Sequence, residues 1–443
     1  MKVNKKLFFK IHSWIGVKLN ILFFIVCFSG TMATLSNEMD WLFFPGLRAS
    51  GVGERVSYNT IVKSIEKTYP SGKLTYWVIA EEPYLNDIVY VEEGGFRKYV
   101  FVDPMTGKIT GSTPVTFQRF FRDFHYYLFM PFYQIGYFIV LTFSFLLLLA
   151  WVSALVFYKK WWQKFRELKR GKNILVFFRS LHRVVGLWSL PFAFLITVTG
   201  IWYFLERTNT GGISDISNPK APKIESPGDS LVDHDQFQFQ LDYELAAQMA
   251  QKEIPNLKIG GIVPGKTPND PIYIRGKSDV PLVRKRSNRV YVDPFEKKVV
   301  GVQKAKEIST VMYLNDIADP IHFGKWGGLA TKILWFLGGA SICGLILTGI
   351  WIALKRQAIQ KSMVNIKPVM GTWRFVNWGL GMLIAGYMYY FLIMRYGVSW
   401  ESIVVVSGAL GFLIFVTWFV FDFKLRRVVN EDLKKSSKKL QSA

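Results

Sequence analysis

The chain has 443 residues, half of them apolar, a formal net charge of +23 and only two cysteines. So few cysteines exclude a disulfide framework or a Cys-based metal site, and the gathering of apolar residues into long runs argues against an ordinary soluble domain. The charge is not a nucleic-acid footprint: Glu38–Phe124 holds ten basic and eleven acidic residues and Glu206–Ala330 seventeen and sixteen, so the whole excess lies elsewhere.

Six apolar runs approach or exceed the roughly 18–20 residues that cross a bilayer as a helix. They lie near Ile15–Leu35, Ile135–Phe157, Val185–Leu205, Thr331–Leu354, Phe375–Met394 and Ser402–Phe421. The expected fold is an α-helical integral membrane protein with about six transmembrane helices. A cytoplasmic N-terminus and first helix occupy 1–36, an exterior domain 37–134, the second helix 135–158 and a basic cytoplasmic loop 159–184. The third helix follows at 185–206, a linker and second exterior domain at 207–330, the fourth helix at 331–354 and a cytoplasmic loop at 355–374. The fifth and sixth helices fill 375–422 and a basic tail 423–443. Basic residues crowd the N-terminus, Lys159–Arg183, Lys355–Arg374 and the tail, which by the positive-inside rule puts both termini in the cytoplasm. The same loops favour anionic lipid. The first run is too long for a signal-peptide core and is expected to be retained. Cys27 and Cys343 fall inside spans and are expected to pack.

The halves of the chain resemble each other. His12 is followed by Gly16 and Gly30, and His182 by Gly186 and Gly200, at the same spacings. Val102-Asp103-Pro104 and Val292-Asp293-Pro294 match between the halves, each after a short amphipathic helix (Val56–Tyr69, Tyr243–Ile254) and alternating strands. Each exterior segment is therefore expected to be a small α+β domain. His125 and His322 then precede the second and fourth spans. The result is a parallel internal duplication about an axis along the membrane normal. The last two helices have no counterpart and are expected to be packing helices. Thr208–Asp235 reads as a linker, with His234 a solvated surface residue.

Four of the five histidines thus occupy repeat-equivalent positions. Equivalent residues in a parallel repeat lie at one depth, facing each other across the axis. His12 with His182, and His125 with His322, would bracket two planar cofactors, one towards each membrane face. Two axial histidines per iron favour haem used for electron transfer; two haem b groups per chain are expected. Gly16 and Gly186, four residues after their histidines on the same helix face, would let a flat macrocycle approach the backbone. Arg119, Arg122, Arg179 and Arg183 are candidates for its propionates. A copper or zinc site would be short of ligands.

This ordered pattern resembles the PepSY-associated transmembrane family of bacterial inner-membrane proteins. The features carrying the resemblance are His12-x3-Gly16 with Ser29-Gly30, His182-x3-Gly186 with Thr199-Gly200, and the two Val-Asp-Pro turns. The resemblance implies PepSY-like periplasmic domains, a link to iron acquisition and, for some members, haem-dependent reduction of ferric siderophores. It would make the four histidines haem ligands in a ferric-chelate reductase with a quinol or protein donor. No Gly-x-Gly-x-x-Gly turn points to a nicotinamide or flavin. Two other classes fit the sequence: a membrane-anchored PepSY-type binding or regulatory module, and a transporter component for iron chelates.

Overall fold

The computed structural model describes residues 4–419 except 50, 52, 159, 171–172, 226–236 and 362–368. His234 and the basic tail therefore lie outside the described residues. In chain order the first half contains α1 (Lys5–Lys18), α2 (Asn20–Thr34), α3 (Ser36–Phe43), α4 (Tyr58–Thr68), α5 (Phe117–Tyr127) and α6 (Tyr133–Phe157). The second contains α7 (Ile174–Trp188), α8 (Leu190–Arg207), α9 (Ile213–Ser217), α10 (Phe237–Gln240), α11 (Tyr243–Glu253), α12 (Thr310–Phe323) and α13 (Gly328–Lys361). After these come α14 (Trp373–Tyr390) and α15 (Trp400–Trp418).

Among the described residues three helices are long and apolar enough to cross a membrane: Tyr133–Phe157, Lys325–Gln360 and Trp373–Arg395. The first and third apolar runs are not single helices. α1 and α2 meet at 75°, and α7 and α8 at 58°, so five spans result if each bent pair counts as one. The sixth run forms a shorter apolar helix, Trp400–Val416. His12 and His182 accordingly sit on arms set off by a bend, not at the ends of straight spans.

A break in an apolar helix frees backbone groups that water cannot reach, so something else must bond them. At the first break Asn377 of α14 supplies both partners. Its Nδ2 donates to the Lys18 carbonyl at 2.6 Å, and its Oδ1 accepts from the Ile21 amide at 3.1 Å. At the second, Pro191 stands in the first turn of α8, where its missing N–H costs nothing, and the Ser189 amide and hydroxyl both donate to the Val185 carbonyl near the end of α7, at 2.9 and 2.8 Å. The fifth apolar run is thus more than a packing helix.

The two exterior segments, expected as separate domains, share one antiparallel sheet. Its strands are β1 (Lys73–Val78), β2 (Asp87–Glu93), β3 (Phe96–Val102), β4 (Ile109–Thr113), β5 (Lys258–Val263), β6 (Ile272–Lys277), β7 (Asn288–Asp293) and β8 (Lys298–Gln303), in the order β4-β3-β2-β1-β5-β6-β7-β8. Two four-stranded meanders meet at β1 and β5, where Trp77 faces Ile262 and Val78 faces Gly261. The alternating strands bury Trp77, Val89, Val100, Ile262, Ile274 and Val290 in one core, together with residues of α4 and α11. These helices cap each other: Tyr243 N donates to Asn59 Oδ1 at 3.0 Å, and Tyr58 N to Glu244 Oε2 at 2.9 Å. Asp103 and Asp293 form the expected turns by accepting from Met105 N at 2.8 Å and Phe295 N at 2.9 Å.

An ionic clasp closes the seam. Glu81, just beyond β1, takes Lys277 at 2.6 Å and Lys285 at 2.8 Å from the second half. Burial pushes its carboxyl upward, but the two ammonium groups outweigh that and hold it at about 2. The folded value lies below the ordinary 4.5, so the clasp stabilises fully above that pH and is lost as pH falls towards 2. Hydrogen exchange at β1 and β5 should therefore accelerate over that acid range, and Glu81→Gln should abolish the dependence. Asn377→Leu should lower the melting temperature in detergent, at about 1–3 kcal/mol for each backbone group left unbonded.

Candidate functional site

The four repeat-placed histidines come together as two pairs. His12 of α1 and His182 of α7 have ring centroids 6.4 Å apart with planes at 89°. His125 of α5 and His322 of α12 stand 6.3 Å apart with planes at 32°. A metal ion about 2 Å from an imidazole nitrogen on each side sets the two centroids about 6 Å apart. Both separations match the spacing of two imidazoles on one metal ion. The pairs sit at different depths. Thr348 touches His182 and Trp335 bonds the Ile321 carbonyl beside His322. Thirteen residues of α13 separate them, about 20 Å at 1.5 Å per residue.

Each ring is anchored through Nδ1 on a helix of its own half. His12 Nδ1 lies 3.1 Å from the Ala150 carbonyl and 3.3 Å from Ser153 Oγ of α6. His125 Nδ1 lies 3.1 Å from the Val26 carbonyl and 3.2 Å from Ser29 Oγ of α2. His182 Nδ1 meets Thr348 Oγ1 of α13 at 3.0 Å, and His322 Nδ1 meets Thr199 Oγ1 of α8 at 2.8 Å. Every one of these hydroxyls donates its own proton to a carbonyl one turn back. A carbonyl only ever accepts, so Nδ1 carries the proton in His12 and His125, which face the Ala150 and Val26 carbonyls; at His182 and His322 the bonds of the two hydroxyls to carbonyls favour the same tautomer. The lone pair is left on Nε2. A hydrogen-bonded Nδ1–H with a free Nε2 is the usual state of a metal-ligating histidine.

The outer pair opens into a cavity of about 490 Å³. It is lined by apolar residues such as Phe143 and Ile342, by Gly30 and Gly200, and by the polar Tyr203, Arg207, Arg284, Glu206 and Asp319. A Cβ on Gly30 would lie 2.8 Å from His125 Cε1, and one on Gly200 2.7 Å from Ser144 Cβ, so the absence of side chains shapes this space. The expected glycines Gly16 and Gly186 flank the inner pair. A Cβ on Gly16 would meet nothing within 4 Å, and one on Gly186 only Leu345 at 3.8 Å. A largely apolar slot beside a histidine pair, with Arg207 and Arg284 but also Glu206 and Asp319 at its polar end, fits a metalloporphyrin whose acidic side arms would meet Arg207, since Arg284 is already paired with Asp319. Among the described residues no group of three or more His, Cys, Asp or Glu could hold a metal ion.

The expected propionate partners change. Arg119 pairs with Asp123 at 2.8 Å, and Arg183 bonds the Glu167 carbonyl at 2.5 Å while stacking on Tyr158. Arg122 is exposed above Tyr126, and Arg179 is exposed. The guanidinium groups that do line the cavity are Arg207 and Arg284, which no sequence pattern singled out. Arg207 lies 4.3 Å over Tyr137, and Arg284 pairs with Asp319 at 2.9 Å. Arg284 begins a basic triplet in a loop, a pattern that reads as a solvated surface. The anchoring Ser153 and Thr348 were likewise not expected, although Thr348-Gly349 repeats the Ser29-Gly30 and Thr199-Gly200 pattern.

Helices of membrane-spanning length, an eight-stranded antiparallel sheet and two histidine pairs define a helical membrane protein whose halves meet along the sheet and at the pairs. Residues 9–356 match the model of the PepSY-associated TM region, and the chain belongs to that family. No curated protein matches it in sequence.

Removing an anchor should test the assigned proton positions. Thr199→Val and Thr348→Val each leave an Nδ1–H without its oxygen. Each should lower stability by about 1–3 kcal/mol and weaken binding of an added iron porphyrin about 10–100-fold, measured by titration in detergent.

Proposed function

We propose that this protein is a di-haem electron-transfer protein of a bacterial inner membrane, reducing a ferric siderophore or other ferric chelate on the periplasmic side. The observation that carries the reading is the geometry of the two histidine pairs: ring centroids 6.4 and 6.3 Å apart, with each Nδ1 anchored on a helix of its own half. Haem b iron held by two imidazoles keeps no open coordination position and supplies one-electron transfer.

In this reading six spans run as a parallel duplication with both termini in the cytoplasm, and the sheet lies in the periplasm. The basic loops support that orientation. His12 and His182 would hold the inner group and His125 and His322 the outer one, about 20 Å further out, well over half of a hydrocarbon core of about 30 Å. The Ser153, Ser29, Thr348 and Thr199 anchors fix ring planes and tautomers. Apolar residues around the outer pair exclude water, while Arg207 stands where acidic side arms would emerge. Outer-sphere reduction of a ferric chelate requires no acid, base or nucleophile from the protein. The donor would be a quinol or a partner protein.

The spectrum of the detergent-purified protein, oxidised and dithionite-reduced, tests this. Sharp reduced bands of low-spin haem b are expected, at two haems per chain, with His12→Ala and His322→Ala each losing about one. A colourless protein, expressed with ample haem, would overturn the reading and leave a PepSY-type binding module.

A further inference from the structure

The last two helices make a specific contact that the rest of the fold does not explain. Asp123, two residues before His125, is 2 % exposed and accepts two charge-assisted or short hydrogen bonds. One comes from Arg119 Nε at 2.8 Å on the same helix; the other from Tyr396 OH at 2.6 Å. Tyr396 is itself buried and closes a π-helical turn, Phe391–Arg395, between α14 and α15. It lies beyond residue 356, outside the region that matches the family.

The same turn also grips the segment immediately after His125. Leu128 and Phe129 both adopt left-handed backbone, φ 54° and 55°, which is rare for bulky residues and persists only where surroundings impose it. Both are fully buried. Phe391 packs its ring 5.7 Å from Phe129 and 5.9 Å from Tyr127. At the other end of α5, Asp40 accepts from Phe117 N at 2.5 Å and Gln118 N at 3.1 Å. Helix α5 is therefore held at its start, at Asp123 and at its strained exit.

The opposite ring has a comparable aspartate with a different source of support. Asp319, three residues before His322, accepts from Tyr203 OH at 2.6 Å and pairs with Arg284 at 2.9 Å. Both partners belong to the second half itself. Only the His125 side takes its tyrosine from the C-terminal hairpin.

We propose that the turn joining α14 to α15 is a positioning clamp for His125, acting through Tyr396 and Asp123, and that this contact tunes the outer histidine site; the hold of α14 on α1 through Asn377 is a separate one. The redox consequence of the clamp rests on the two-haem reading, but the clamp itself rests on protein contacts alone. The His125 ring itself is bonded by Ser29 and the Val26 carbonyl; Tyr396 and Asp123 act on it by fixing the helix that carries it, and the placement of a ligand ring sets the electron affinity of what it holds.

The test uses the full-length, haem-loaded protein in detergent, with His322→Ala identifying the outer group's signals. Tyr396→Phe removes one hydroxyl and keeps the ring. It should retain two haems per chain while shifting the outer group's low-spin ferric electron-paramagnetic-resonance signal and midpoint potential, with the inner group unmoved. Asp123→Asn should raise the outer potential, because a buried negative charge no longer favours the oxidised state. Tyr389→Phe, which removes a bond to Ser407 within the same hairpin, should shift neither group. Wild-type signals in Tyr396→Phe, or equal shifts of both groups, would overturn the clamp. If the protein carries no haem, the functional reading fails, and hydrogen exchange decides the clamp separately. Faster exchange across Phe117–Tyr127 in Tyr396→Phe, with Thr310–Phe323 unchanged, supports it; unchanged exchange in α5 refutes it.

Discussion

A histidine inside an apolar bundle must place its N–H on an acceptor, because no water is there to take it. That requirement organises this molecule. Each ring finds its partner on a neighbouring helix, at a hydroxyl that also bonds the carbonyl one turn behind it. The bond fixes helix against helix and engages one nitrogen of each ring, with the paired rings 6.4 and 6.3 Å apart. A structural requirement and a binding geometry are thus met by one contact. The small residue beside the anchoring hydroxyl, as at Gly30, lets the ring come close enough.

The anchors also cross within each half. The first histidine of a half leans on the second apolar helix, and the second histidine leans on the first. Neither helix can then turn without moving a ring, so packing of the bundle and alignment of the pairs are the same constraint. The bends at Leu19 and Ser189 serve this arrangement by letting the inner histidines ride on arms set off from the spans. Backbone groups freed there are bonded by Asn377 at the first bend and by Ser189 at the second.

Outside the bundle, the shared sheet ties the halves a second time. The β1–β5 seam carries few strand bonds, and the Glu81 clasp and the reciprocal α4–α11 caps reinforce it. Because α5 and α12 follow directly from β4 and β8, the sheet governs how the outer histidines approach each other. The inner pair has no such frame and depends on the bundle alone.

Much of this was legible in the residues, because periodicity and repetition are local properties. Run lengths marked the apolar helices, alternation marked the strands, and equal spacing from His12 to Gly30 and from His182 to Gly200 singled out the paired histidines. Partnership across the fold was not legible. No local pattern tells that two meanders will merge into one sheet, since either edge strand could have stayed open. Nor does a pattern reveal that Arg284 in a basic loop will line the cavity while Arg119 is taken up by Asp123. Asn377 and Tyr396 look like incidental polar residues in apolar helices until the break at Leu19 and the buried Asp123 are placed beside them. The order of residues settles which segments are apolar and which side chains recur. Which polar group meets which is settled in three dimensions, because it depends on how much each one loses when left unbonded where water cannot reach.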